Sequence, residues 1–188
     1  PDKPDTPDKP DNPDTPDNPD TPDKPDTPDK PDTPDKPALP DKLFALTGDG
    51  VTCAETADTL KYASKTALTK SELVAAVTAA NPGAAVSVKD KDGNELADDA
   101  TPGTGSTVTV TIDGNTVTKT IIVLGDVDGN GTVNATDARL ALRAAAKLDT
   151  LEGPYAAAAD VDGDNNINAT DARGILRAAA KLDVLKAA

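Results

Sequence analysis

Asp126-Val127-Asp128-Gly129-Asn130-Gly131-Thr132-Val133-Asn134-Ala135-Thr136-Asp137 decides the reading of this chain. Spaced by 34 residues, it recurs as Asp160-Val161-Asp162-Gly163-Asp164-Asn165-Asn166-Ile167-Asn168-Ala169-Thr170-Asp171. Aligned from Asp126 to Asp149 and from Asp160 to Asp183, 18 of 24 positions are identical, an internal repeat that chance does not produce in a chain of 188 residues. Oxygen-bearing side chains fall at the first, third, fifth, ninth and twelfth places, and the seventh residue can offer its backbone carbonyl. A hard cation such as calcium needs six or more oxygens at about 2.4 Å, and alternate residues of a turning loop point inward, which explains the spacing of two. The candidate ligands are therefore Asp126, Asp128, Asn130, Thr132, Asn134 and Asp137 for one Ca2+, and Asp160, Asp162, Asp164, Asn166, Asn168 and Asp171 for a second.

Two departures from the common twelve-residue loop matter. The last ligand is Asp rather than Glu, one methylene shorter, so the start of the following helix must lie closer to the metal. Asn165 stands where the first copy has the turn glycine Gly131. Asn is the next most tolerant residue of a left-handed backbone, so the second loop is also expected to bind, helped by four carboxylates against three. No long helix precedes either loop. Thr118 to Leu124 reads as a strand feeding straight into Asp126, and Pro154 with Tyr155 and the following alanines gives one or two helical turns before Asp160. Each unit is thus a loop plus an exiting helix, with Val133 and Ile167 expected to pair the loops.

In the first exiting helix Ala138, Ala141, Ala145 and Leu148 fall on one side at helical spacing and suit a core; Ala172, Ile175, Ala179 and Leu182 are their counterparts. At 100° per residue Thr136, Arg143 and Lys147 lie opposite, flanked by Arg139 and Leu142. The second helix repeats this with Thr170, Arg177 and Lys181, flanked by Arg173 and Leu176. A solvated face is the plain explanation, yet these outward residues are identical between the copies while Ala141 differs from Ile175 and Val133 from Ile167. That contrast favours a partner-binding face.

Composition narrows the class. The net charge is −14, with 29 Asp and 4 Glu. Such a surface argues against nucleic acid, which requires clustered Lys and Arg, and the Asp bias favours turns, caps and oxygen-rich loops. One Phe, two Tyr and no Trp leave thin aliphatic cores. The single Cys53 cannot close an internal disulfide, so metal is the expected staple. With no His to activate it, Cys53 reads as an inert thiol. No apolar run is long enough to insert in a membrane. The chain holds no Met and begins with Pro, so it reads as a fragment or processed product of a larger parent.

Residues 1–39 are a linker built on a Pro-Asp-X triplet, X being Lys, Thr or Asn. With nothing apolar to bury it is expected to be disordered or polyproline II, whose three residues per turn match the triplet; at ~3.1 Å per residue the repeat would reach on the order of 110 Å. Residues 40–123 read as a small α+β, β-rich domain. Thr69-Lys70-Ser71-Glu72 fits a capping box opening a helix that Asn81-Pro82-Gly83 stops. Val86 to Val88 is strand-like, Thr107 to Ile112 alternates polar and apolar, Asp113-Gly114 is a hairpin signal, and Thr116 to Leu124 returns. Leu60 to Leu68 is a further strand candidate. No catalytic constellation is present: there is no His, and there is no aromatic platform for a sugar, so no enzyme activity is expected.

The duplicated loop with an exiting helix, Asp as last ligand and position behind a linker resemble the dockerin family over about residues 125–185. That resemblance implies a mostly α calcium-binding module, residues 124–188, whose two loop–helix units pack antiparallel and bind a cohesin module of a scaffoldin. It adds the Ala135-Thr136 and Ala169-Thr170 pairs to the partner-reading residues Arg139, Leu142, Arg143, Lys147, Arg173, Leu176, Arg177 and Lys181. It further implies an extracellular bacterial setting in a cellulosome- or amylosome-like assembly. The small β-rich domain fused before it resembles, more loosely, the X-module of X-module–dockerin pairs. The expected function is a calcium-dependent, non-enzymatic adaptor, monomeric before complex formation; the alternative is a structural calcium-stabilised module with no partner. The near two-fold repeat suggests that either helix can lead, giving two poses about 180° apart.

Overall fold

The computed structural model describes residues 43, 44, 46 and 51–187. The Pro-Asp-X linker, with its polyproline II expectation, lies outside the described residues. The elements run β1 (Thr52–Glu55), β2 (Thr59–Ala63), α1 (Lys70–Ala80), β3 (Ala85–Lys89), β4 (Thr107–Ile112), β5 (Asn115–Val123), α2 (Ala135–Ala145), α3 (Gly153–Ala159) and α4 (Ala169–Ala179).

Local chemistry explains most of these. Thr69 caps α1 reciprocally with Glu72, as the sequence pattern predicts, and Asn81 closes it. The β4–β5 hairpin turns through Asp113 and Gly114, at φ 49° and 75°, the left-handed pair that matches strand twist. The sheet order is β1-β2-β5-β4-β3, with β2 and β5 parallel and the other pairs antiparallel. The strand candidate at Leu60 to Leu68 is shorter than its sequence suggests, ending at Ala63, and β1 pairs on its outer edge. Leu60, Tyr62, Val88, Val108, Val110, Ile121 and Val123 form the apolar core of the sheet with Leu73 and Val77 of α1. Cys53 is half-buried, its thiol 3.9 Å from the Phe44 carbonyl.

On β5, Lys119 is buried and pairs with Glu55 Oε1 at 3.3 Å, donating also to the carbonyls of Thr56 and Ala57. Glu55 Oε2 accepts from the Leu43 N–H at 3.0 Å, so the ion pair ties the start of the sheet region to its central strand.

Residues Lys36–Ala188 form one compact unit, in which sheet and helices share an interface. Leu124 N–H donates to Tyr62 O at 2.8 Å and Gly125 N–H to Ala158 O at 2.8 Å. At the far end of the chain Ala187 N–H returns to Thr52 Oγ1 at 2.8 Å. The helices pack on a second, smaller core of Val127, Ala138, Ala141, Ala159, Ala172 and Ile175. Val133 and Ile167 are half-buried against that core; among the described residues no β-bridge joins the loops, so they meet the fold through side chains rather than strand pairing.

Leu148 and Leu182 correct the core expectation: they are 66% and 70% exposed. Both helices stop three residues earlier, at Ala145 and Ala179. Lys147 and Lys181 then take φ 59°, and Leu148 and Leu182 donate to the carbonyls of Arg143 and Arg177, each at 2.9 Å. This left-handed cap satisfies the last carbonyls and turns each Leu off the helix.

Candidate metal centres and partner-binding face

Each loop ends in the same construction. Asn134 caps α2, its side chain accepting from Thr136 N–H at 2.7 Å, while Asp137 Oδ2 accepts from Asn134 N–H at 2.9 Å. Asp137 Oδ1 accepts from the N–H groups of Val127 (2.8 Å) and Asp128 (3.1 Å), so the twelfth residue gathers the loop's two ends. In the second copy Asp171 does the same with Asn168, Val161 and Asp162, at 2.9, 3.0 and 3.4 Å. The short Asp side chain reaches these amides only because the helix begins close to the loop's mouth. Asn165 adopts φ 64°, beside 81° for Gly131, the left-handed turn that the substitution allowed.

Carboxylate oxygens of Asp126, Asp128 and Asp137 lie within 4.8 Å of one another, as do those of Asp160, Asp162 and Asp164. The fifth-place Asn130 donates from Nδ2 to Asp128 Oδ2 at 2.8 Å and accepts at Oδ1 from Thr132 N–H at 2.8 Å. Asn134 donates to the Thr132 carbonyl at 3.1 Å, and Asn168 to the Asn166 carbonyl at 3.3 Å, which puts both seventh-place carbonyls beside ninth-place amides.

The first site passes a direct test of fit for a cation. Asp126 is fully buried, and its Oδ1 has no hydrogen-bond partner among the described residues. Burial, then the neighbouring Asp137 and Asp128, push its carboxyl up to about 6 against the hydrogen bonds from Thr104 and Gly131. Burial raises Asp137 in the same direction. Buried like charges with an orphaned oxygen are what a divalent cation relieves, and an oxygen-only donor set selects calcium-like ions. In the second loop Asp160 instead accepts from Gly163 and Asn165 N–H, at 2.8 and 3.0 Å, and Asp162 and Asp164 are exposed.

The two helices also build a groove. Ala135, Ala138, Arg139 and Leu142 face Ala169, Ala172, Arg173 and Leu176 across a space of about 400 Å³. Six of the residues read from sequence as partner-binding therefore come together: the two helix-start alanines, two arginines and two leucines. Thr136, Arg143, Lys147, Thr170, Arg177 and Lys181 are exposed but do not line it. The basic stripe is partly self-neutralised. Arg143 binds Asp149 through Nε at 2.5 Å and Nη2 at 3.0 Å, and Arg177 Nε lies 3.3 Å from Asp183. Asp149 and Asp183, overlooked as partners, are identical in both copies and six residues after each arginine, a signal the repeat carried.

Missed altogether was the contact between the first loop and residues 101–105. Thr104 N–H donates to Asp126 Oδ2 at 2.8 Å, sharing that oxygen with Gly131 N–H at 3.1 Å. Only the glycine-dense run Thr101-Pro102-Gly103-Thr104-Gly105 hints at such close approach in the sequence.

A duplicated loop–helix unit, with a carboxylate cluster in each loop that could hold a cation and a groove shared by the two exiting helices, defines the class of module. Residues 124–177 match the family model of the dockerin type I domain, so this part of the chain carries a dockerin type I domain. A dockerin domain implies calcium-dependent binding to a cohesin module. No curated protein and no solved structure matches the chain. Among the described residues no helix is long and apolar enough to cross a membrane.

Proposed function

We propose that this chain is a non-enzymatic adaptor: with a Ca2+ in each loop, it presents the α2–α4 groove to a cohesin of a scaffoldin or cell-surface anchor. It would thereby attach a larger secreted bacterial protein to a cellulosome- or amylosome-like, polysaccharide-degrading complex. The calcium mechanism is linkage. Asp126, Asp128, Asp137 and their counterparts hold the ion only when the loops are folded, so the ion stabilises the folded form and fixes the helix starts that build the groove.

The observation that carries this reading is the exposure of Leu142 and Leu176, 51% and 50%, on one groove bracketed by Arg139 and Arg173. Apolar anchors beside cations that have no ion pair among the described residues suit a partner with an apolar ridge and flanking carboxylates. A purely structural module gains nothing from leaving both leucines in water. The chain acts as a monomer that joins its partner one to one. The sheet region serves as an X-module-like prop, and the Pro-Asp-X linker gives the parent protein reach.

Capture of the full chain on a panel of immobilised cohesins tests this. At least one cohesin should retain it, and Leu142→Asp with Leu176→Asp should abolish retention. Retention unaffected by that pair would place the partner face elsewhere. Hydrolysis of any member of a polysaccharide panel would overturn the non-enzymatic assignment.

A further inference from the structure

The two calcium loops share a sequence pattern but not a setting. The first is roofed by residues 101–105 of the sheet region. Gly103 lies so close that a Cβ there would sit 2.1 Å from the Gly129 carbonyl oxygen and 2.7 Å from Gly131 N. Gly131 is covered by Thr101, and Gly129 by the Thr104 carbonyl and the Tyr155 ring. Thr104 is itself anchored to β5: it is fully buried, and its hydroxyl donates to Val123 O at 3.2 Å and accepts from Val123 N–H at 3.1 Å. Its own N–H takes Asp126 Oδ2, which leaves Oδ1 as the buried, unpartnered oxygen. Among the described residues nothing comparable lies over the second loop: a Cβ on Gly163 would meet nothing within 4 Å, and Asp162, Asp164, Asn165 and Asn166 are exposed.

We propose that the turn at residues 101–105 is a working part of the first calcium site. Thr104 positions Asp126, and Gly103 permits the close approach. As a result the first loop fills before the second and holds its ion more tightly. This rests on the reading that both loops take calcium. Charge count alone says the opposite, since the second loop has four carboxylates and the first three. Two effects outweigh the missing charge. A charge interaction at an effective dielectric of about 20 is about four-fold stronger than in water, and exposed carboxylates are further screened by salt. The first-place and twelfth-place carboxylates of that loop are also buried, and Asp126 is held by the Thr104 N–H, so binding there forfeits less conformational freedom. Thr104 is a positioning residue; no side-chain oxygen of the roof need touch the ion.

The test is a titration of the calcium-free full chain with calcium chloride, followed by two-dimensional NMR at the amides of Gly131 and Asn165. Gly131 should saturate at a calcium concentration at least ten-fold lower than Asn165. Gly103→Ala should raise the Gly131 midpoint about ten-fold and leave that of Asn165 unchanged, an effect that a general loss of stability would not confine to one loop. Coincident midpoints, or Asn165 saturating first, would overturn the inference while leaving calcium binding and the cohesin assignment intact. If Gly103→Ala does not fold, the order of filling in the unaltered chain decides alone. If neither amide responds, the calcium reading fails and this inference with it.

Discussion

Loop 126–137 and loop 160–171 carry the same code and complete the same local construction. Each has an Asn N-cap, a twelfth-place Asp tying the cap to the loop's mouth, and a left-handed sixth residue. Their first-place aspartates nevertheless differ: Asp126 is fully buried with one oxygen that has no partner among the described residues, whereas both oxygens of Asp160 accept backbone N–H groups. The lesson is that a twelve-residue pattern sets which atoms converge, while their burial is set by what the rest of the chain lays over them.

The largest effect expected is that of calcium removal. A site held at 100-fold its Kd contributes about 2.7 kcal/mol to folding, so stripping two should cost about 5 kcal/mol. Differential scanning calorimetry of the full chain with calcium and with EDTA reads this directly, and an unmoved melting temperature would mean that neither loop holds calcium.

Next come the first ligands. In calcium, Asp126→Ala should destabilise by about 4 kcal/mol in urea unfolding: about 2.7 kcal/mol for the lost site, with about 1–3 kcal/mol for the buried Thr104 N–H left unpaired. Asp160→Ala leaves only exposed amides and should lose no more than the site itself. Equal losses would say the roof over the first loop adds nothing.

Smaller effects separate the groove from the helix ends. Replacing Arg139, Leu142, Arg173 and Leu176 together by Ala should weaken cohesin binding at least ~100-fold, since central anchors each cost about 2 kcal/mol or more. Arg143→Ala with Lys147→Ala should leave affinity within about ten-fold, because Arg143 is already held by Asp149 and the second helix can lead instead. A dead double variant would refute the two-pose idea. Smallest of all, Leu148→Ser should change stability by less than about 0.5 kcal/mol, where truncating a core residue costs about 2–5 kcal/mol.

What the sequence made legible was local. The twelve-residue loops, the Thr69 capping box, the Asp113-Gly114 hairpin and the short helix around Pro154 each depend on residues within a dozen positions of each other. What it hid was long-range or lacked its usual signal. The parallel pairing of β2 with β5 and the roof over Asp126 join distant segments. The left-handed caps at Lys147 and Lys181 use no Gly or Asn, so helical periodicity ran on through them and placed Leu148 and Leu182 in a core they leave. Periodicity put Arg139 and Leu142 at the flanks of the outward stripe; that they line a space between α2 and α4 depends on where the second helix lies, which periodicity does not carry.

The most direct measurement is isothermal titration of cohesin modules into the full chain, first in calcium, then after EDTA, then with calcium restored. Tight one-to-one binding by at least one cohesin, lost with EDTA and recovered with calcium, is the expected result. Binding indifferent to EDTA, or none across a broad panel from a chain that calcium still stabilises, would contradict it.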